Sequence, residues 1–353
     1  MKKLSRQRIE WLLRFQIRCR KKAKKNKNKK KKTKVGREHL CVPSNLCLRN
    51  NYEETVLFFK RLRDSVANFM PHKGLTVDFR TIDKMSPDAS LILAAELDRW
   101  RRIHNIRLSP HKLNKWKKDI KYIFGQLGLF DLLGVPSNIR DKYSEFDGKS
   151  KYIKFQSGNL SDGSLAEPLL CAVSEYLGSK MEEHLLYIGL SESMTNVVQH
   201  AYPRNTHYAY KTIYDQWWLS GSYSASDNKL TIMFYDQGVG IPNTLPSWEM
   251  WDNILNLLHK LGFEANHHGY LIRGALDVGR SRTKESHRGK GLKQLLALIE
   301  HNKSGYLRIL SGNGEFFTDE TGSCVCAHHD NAVGGTFIEW NVKLLGDKNE
   351  QDN

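Results

Sequence analysis

The chain has 353 residues, 40% hydrophobic and 26% charged, with a formal net charge of +17. That apolar content suffices for two cores and excludes collagenous, mucin-like and wholly disordered classes. The charge is concentrated: residues 1–37 hold 18 of the 55 basic side chains and one of the 38 acids, Glu10, leaving 37 of each sign in the other 316 residues.

In residues 5–20, Ile9, Leu12, Leu13, Phe15 and Ile17 alternate with Arg6, Arg8, Arg14 and Arg18, the pattern of a short basic amphipathic helix. Residues 20–34 hold ten Lys and one Arg, cannot bury apolar surface, and are expected to be disordered. Such a tail is either a solvated appendage or a contact for a polyanion, nucleic acid or anionic membrane. No run reaches the ~18–20 apolar residues of a membrane span, and the N-terminus lacks a signal peptide's apolar core, so a cytoplasmic protein is expected. Six scattered cysteines read as reduced thiols. Only Cys324-Val-Cys326-Ala-His328-His329 has metal-like spacing, and it reads as a hairpin tip with incidental thiols.

Residues 38–147 alternate helix and strand patterns, a small α/β unit. A helix is expected over 52–68, a buried strand over 75–79, a helix opened by Pro87 over 87–102, a strand around Leu108 and a helix over 116–133. Ser86 and Ser90 stand at the second helix start, where serine can cap the helix. Strand, loop and helix over residues 77–97 resemble, in order, a STAS domain, the antagonist and phosphorylation target of bacterial partner-switching systems, and the resemblance implies Ser86 or Ser90 as the phosphate acceptor.

Residues 151–345 carry the chemistry, and a short tail (346–353) follows. In Ser191-Glu192-Ser-Met-Thr-Asn196-Val-Val-Gln-His200-Ala-Tyr202-Pro203, Glu192 and Asn196 are four apart and share a helical face. An amide oxygen suits Mg²⁺, and a carboxylate beside it can polarise a water or hydroxyl. Residues 217–226 and 229–235 read as a hairpin that runs into Asp236-Gln-Gly238-Val-Gly240. An acid after a buried strand is placed to accept a hydrogen bond from an exocyclic amine such as adenine's. His287-Arg288-Gly289-Lys290-Gly291 opens a helix whose N-terminus suits phosphate, with Arg288 and Lys290 as counter-charges. Gly334-Gly335-Thr336 enters a last strand with a free hydroxyl.

These four boxes, in this order from Glu192 to Thr336, resemble the ATP-binding domain of the GHKL superfamily, and SESMTNVVQHAYP is most similar to the anti-sigma-factor serine kinases. The resemblance implies a Bergerat α/β sandwich, a mixed sheet with helices on one face, behind the STAS-like unit. It implies ATP and Mg²⁺ as cofactors, Glu192 as general base, Asn196 as Mg²⁺ ligand and Asp236 as adenine reader. Gly238 and Gly240 would be the first glycines, Gly289 and Gly291 the phosphate glycines, and Thr336 an adenine-side contact. Expected partners are a STAS or sigma-type protein and a second copy of the chain. Between Gly240 and Gly289 lie 48 residues, a long lid in which 248–261 and 270–278 have helical periodicity and His267-His268 reads as a loop pair. Arg280, Arg282 and Lys284 either reach the γ-phosphate or form a solvated basic face.

Three functions follow: a regulatory ATPase or serine/threonine kinase, an ATP-gated interaction module that scarcely hydrolyses, or a nucleic-acid-associated ATPase working through the tail. The sequence carries no transducer after the last strand and no helical hairpin with a phospho-acceptor His, features that gyrase-like enzymes and histidine kinases need.

Overall fold

The computed structural model describes residues 38–68, 75–104, 110–144, 150–177, 183–281 and 291–343. The expected helix and basic segment of residues 1–37 and the strand around Leu108 lie outside them.

Two short parallel pairings open the chain, β1 (Glu38–Cys41) beside β3 (Leu75–Asp78) and β2 (Asn45–Leu46) beside β4 (Lys84–Met85). Between them runs α1 (Tyr52–Ala67) and after them α2 (Pro87–His104), which starts at proline, where a missing N–H leaves no bond unmade. Ser86 stands ahead of α2 with its hydroxyl on Asp88 and on the Leu46 carbonyl (3.2 Å). Ser90 is fully buried and donates to the Ser86 carbonyl at 2.6 Å, so its hydroxyl is turned away from any donor of phosphate. The single helix expected over 116–133 is two, α3 (Lys118–Leu127) and α4 (Leu129–Leu132). Gly128 between them adopts φ +82°, which a continuing α-helix does not permit. A one-turn α5 (Ser137–Arg140) ends this part.

The second part begins with β5 (Ser150–Gly158), α6 (Glu167–Leu177) and α7 (Glu183–Asn196), which runs on into a π-helical turn, Val197–Ala201. Then come β6 (Trp217–Ser224), β7 (Lys229–Asp236), a one-turn α8 (Ile241–Thr244), α9 (Trp251–Lys260), α10 (His268–Ser281) and α11 (Gly291–Asn302). The chain closes with β8 (Tyr306–Ser311), β9 (Gly314–Asp319), β10 (Cys324–His328) and β11 (Thr336–Lys343).

β5 to β11 form one seven-stranded sheet in the order β10-β9-β8-β11-β7-β6-β5, with every neighbouring pair antiparallel. The mixed sheet expected from the family resemblance is therefore corrected. Short turns join β6 to β7, β8 to β9 and β9 to β10, and such turns can link only antiparallel neighbours. The expected hairpin tip at Cys324 is corrected too. Cys324–His328 is the edge strand, with Cys324 and Cys326 packed inward and Val325 59% exposed, the period of two of a half-buried strand.

Alternation along the strands decides the two faces. Ile232, Phe234, Ile309, Ile338 and Trp340 point to one side, where α6, α7, α10 and α11 supply Leu169, Val173, Leu190, Met194, Ile272 and Ile299. This is the expected helical layer. Met233, Tyr235, Leu310 and Phe337 point to the other side and share one continuous core with residues 42–135, including Phe59, Leu62, Leu93, Trp100 and Phe124. The N-terminal unit thus covers the second face of the sheet, and each large side chain buried there contributes about 1.5–3 kcal/mol. Among the described residues no helix is long and apolar enough to cross a membrane.

Candidate functional site

The site is built at one end of the sheet. β7 ends at Asp236, β11 begins at Thr336 and β8 ends at Ser311; Thr336 lies opposite both of the others in register. By alternation from Phe234, Ile338 and Ile309, all three side chains face the helical layer. The Thr336 and Ser311 hydroxyls are 2.9 Å apart, and Ser311 Oγ accepts from the Ile241 N–H at 2.8 Å. Ser311 was not legible as a site residue, since only the pairing of β8 with β11 brings it there.

Asp236 is buried, and Oδ1 accepts from the Gly238 N–H at 2.8 Å. Burial pushes its carboxyl up to about 7, against hydrogen bonds from the Gly238 N–H and from the N–H and hydroxyl of Thr336. A desolvated carboxylate without a cationic partner among its hydrogen bonds is a strong acceptor held at a cost. Close approach of the Ala201 carbonyl explains Gly238, because a Cβ there would lie 2.3 Å from its oxygen. Gly335, at φ +119°, would place a Cβ 1.9 Å from the Asp236 carbonyl oxygen.

Glu192 and Asn196 lie near the C-terminal end of α7 as an i, i+4 pair on one helical face. Half-burial raises the Glu192 carboxyl above its ordinary value, and the neighbouring Asn196 amide partly offsets this. A carboxylate and an amide oxygen side by side, with no cation paired to Glu192 among the described residues, form a donor set that fits a magnesium ion and a water. The helix end is clamped to the loop that follows Asp236. The Val239 N–H donates to the Ala201 carbonyl at 2.9 Å, the Gln237 N–H donates to Tyr202 Oη at 2.9 Å, and Tyr202 donates to the Gln216 carbonyl at 2.6 Å. The π turn over Val197–Ala201 leads directly into these contacts. Ala201 and Tyr202 thus have a structural role that the sequence did not reveal.

Gly240 adopts φ +87° at the start of α8, with a virtual Cβ 3.0 Å from Ser311 Oγ. Gly291 is the first residue of α11, which packs along α7. Arg282, Lys284, Arg288, Gly289, Lys290 and the Arg280 side chain lie outside the described residues. The two helices expected inside the lid are α9 and α10, with a small core of their own (Leu245, Ile254, Leu258, Leu271, Ala275 and Val278). α10 also packs on β9 and β10: a Cβ on Gly269 would lie 2.5 Å from the Ala327 carbonyl oxygen. His267 and His268 are part of this seam and not a loose pair, since the His268 N–H donates to His328 Nδ1 at 3.2 Å and the Asn313 N–H donates to His268 Nδ1 at 3.1 Å. Burial and the neighbouring His328 lower both rings' affinity for a proton. Among the described residues no group of three or more His, Cys, Asp or Glu could hold a metal ion.

A cleft of about 370 Å³ lies on the outer side of the loop after Asp236, lined by Arg63, Arg99, Tyr208, Tyr210, Gln237 and Val239. No family model and no curated protein matches this chain.

Proposed function

We propose that the chain binds Mg·ATP in the manner of the GHKL superfamily and acts as a nucleotide-gated switch, an ATPase or serine/threonine kinase of partner-switching type. The observation that carries this reading is the convergence of Asp236, Thr336 and Ser311 on one face, in a loop hydrogen-bonded to the end of the Glu192–Asn196 helix. In it, Asp236 accepts from the adenine amine with Thr336 beside it, Asn196 holds the ion, and Glu192 takes the proton from an attacking water or protein hydroxyl. Magnesium, when bound, neutralises phosphate charge. The resemblance assigns Arg288, Gly289, Lys290 and Gly291 to the phosphates. The STAS-like reading of residues 38–147 is kept as resemblance of order; their shared core with the sheet favours regulation within the chain over a detachable antagonist. The basic tail of residues 1–37 supplies localisation on a polyanion inside the cytoplasm.

The test is binding of a fluorescent ATP analogue with Mg²⁺. Asp236→Asn is expected to weaken binding by about 10–100-fold, the value of a hydrogen bond to a charged, buried acceptor. Affinity equal to wild type overturns the adenine assignment. The same variant has an opposite effect on the nucleotide-free fold. Asp236 holds its proton up to about 7 when folded against 3.8 when exposed. Between those values the folded chain binds a proton that the unfolded chain lacks, so stability falls as pH rises through the window and is lowest above it. Asp236→Asn therefore raises Tm at pH 8 by about 3–6 °C, with a smaller gain at pH 5. Salt titration of RNA binding and of anionic-vesicle binding, with and without residues 1–34, checks the tail: binding that survives its removal counts against that role.

A further inference from the structure

We infer that Glu96 and Gln237 are positioning residues that couple the N-terminal layer to the nucleotide-reading loop, an inference that rests on the nucleotide reading of the site. Asp236 and Gln237 are adjacent, so they leave β7 toward opposite faces of the sheet, Asp236 toward the helical layer and Gln237 toward α1 and α2. Gln237 Nε2 donates to Glu96 Oε1 at 3.0 Å. That carboxylate, 2% exposed, also accepts from Arg63 Nε at 2.6 Å and from Arg99 Nη2 at 2.7 Å. Arg63 extends the network to the second loop of the site: its Nη2 donates to the Val333 carbonyl at 2.9 Å and to Tyr235 Oη at 3.2 Å, and Tyr235 donates to the Gly334 carbonyl at 2.7 Å. Gly334 fits against this guanidinium, since a Cβ there would meet Arg63 Nη1 at 2.3 Å.

One buried carboxylate on α2 therefore holds both loops of the site, the one that follows Asp236 and the one that precedes Thr336. A shift of α2 moves Gln237 and Gly334 together, and a nucleotide that fixes Asp236 and Thr336 restrains α2 in return, because coupling between two sites is reciprocal. Both guanidiniums line the 370 Å³ cleft at this seam, so solvent reaches the network from one side.

The experiment measures affinity for a fluorescent ATP analogue and hydrogen exchange of residues 87–104, with and without the non-hydrolysable analogue AMP-PNP, in wild type, Gln237→Met and Tyr235→Phe. Each variant deletes one arm of the network and leaves the Arg63–Glu96–Arg99 ion cluster in place. Wild type is expected to exchange more slowly across residues 87–104 when the nucleotide binds. Gln237→Met is expected to bind about five- to tenfold more weakly and to lose the nucleotide-dependent slowing, with exchange in the nucleotide-free state as in wild type. Tyr235→Phe moves affinity in the same direction. Variants that bind as tightly as wild type, or nucleotide binding by wild type without slower exchange in α2, overturn the coupling while leaving the nucleotide site intact. Wild type that binds no nucleotide overturns the site reading and the coupling with it.

Discussion

Glu192→Ala is expected to lower ATP turnover or phosphotransfer by about 10²–10⁴-fold, the usual contribution of a positioned general base, with affinity for the ATP analogue changed by less than about threefold. The split between rate and affinity matters, because Glu192 lies on α7, whereas the Asp236–Thr336 pair lies on the sheet. Asn196→Ala should differ, losing the Mg²⁺ dependence of binding. A base must be ionised, and half-burial holds the Glu192 carboxyl above its ordinary 4.5, so the rate rises with pH through a midpoint above that value. Steady-state kinetics from pH 4 to 8 check this. Turnover by Glu192→Ala equal to wild type removes the catalytic assignment, and binding without turnover in wild type favours the non-hydrolysing gate.

Arg308→Met is expected to cost about 3–5 kcal/mol of stability, the range for removing one partner from a buried ion cluster. Arg308 lies on the face of the sheet that packs against the N-terminal layer. Its Nε bonds Glu315 at 2.6 Å, its Nη1 lies 3.4 Å from Asp88 and 3.8 Å from Glu339, and its Nη2 donates to the Leu48 carbonyl at 2.9 Å. Three carboxylates from α2, β9 and β11 lose their shared cation when it is replaced. Burial already raises the Glu339 carboxyl in wild type, whereas for Glu315 burial is outweighed by His329 and Arg308, which hold it down at about 2. An acid whose folded value lies below its unfolded value of 4.5 supplies stability that is present above that value and lost as pH falls toward 2. Without Arg308, acid unfolding of the variant therefore starts at higher pH. Denaturant unfolding at pH 7 and at pH 4 measures both effects. Lys154→Met, which removes an exposed partner of Asp131, is the control and should cost less than about 1 kcal/mol. A loss of under about 1 kcal/mol for Arg308→Met would show that the seam is held by its apolar core alone.

Both variants address parts of the molecule that differed in how visible they were from residue order. Glu192 and Asn196 were legible because an i, i+4 spacing is a local property of a helix. Asp236 was legible because an acid at the end of an apolar strand, followed by Gln-Gly-Val-Gly, stands out in a short window. The hairpin of β6 and β7 and the helices α9 and α10 followed from period, with ends displaced by only a few residues. The break at Gly128 was missed because apolar residues continue on both sides of it, and only its left-handed backbone ends α3. The π turn was invisible because Val-Val-Gln-His-Ala suits an ordinary helix equally well.

Residue order by itself determined the local chemistry of this protein: which strand carries the buried acid, which helix face carries the Glu–Asn pair, where glycine is required, and that the excess charge lies in residues 1–37. Tertiary structure alone decided what that chemistry is attached to. Ser311 joins Thr336 across β8 and β11, Gln237 reaches Glu96 over a separation of 141 residues, and Arg308 meets Asp88 over 220. The physical reason is that period and spacing report which face of an element a side chain occupies. The partner on that face is set by strand register and by which layer covers the sheet, and both arise only when distant segments bury their apolar faces together.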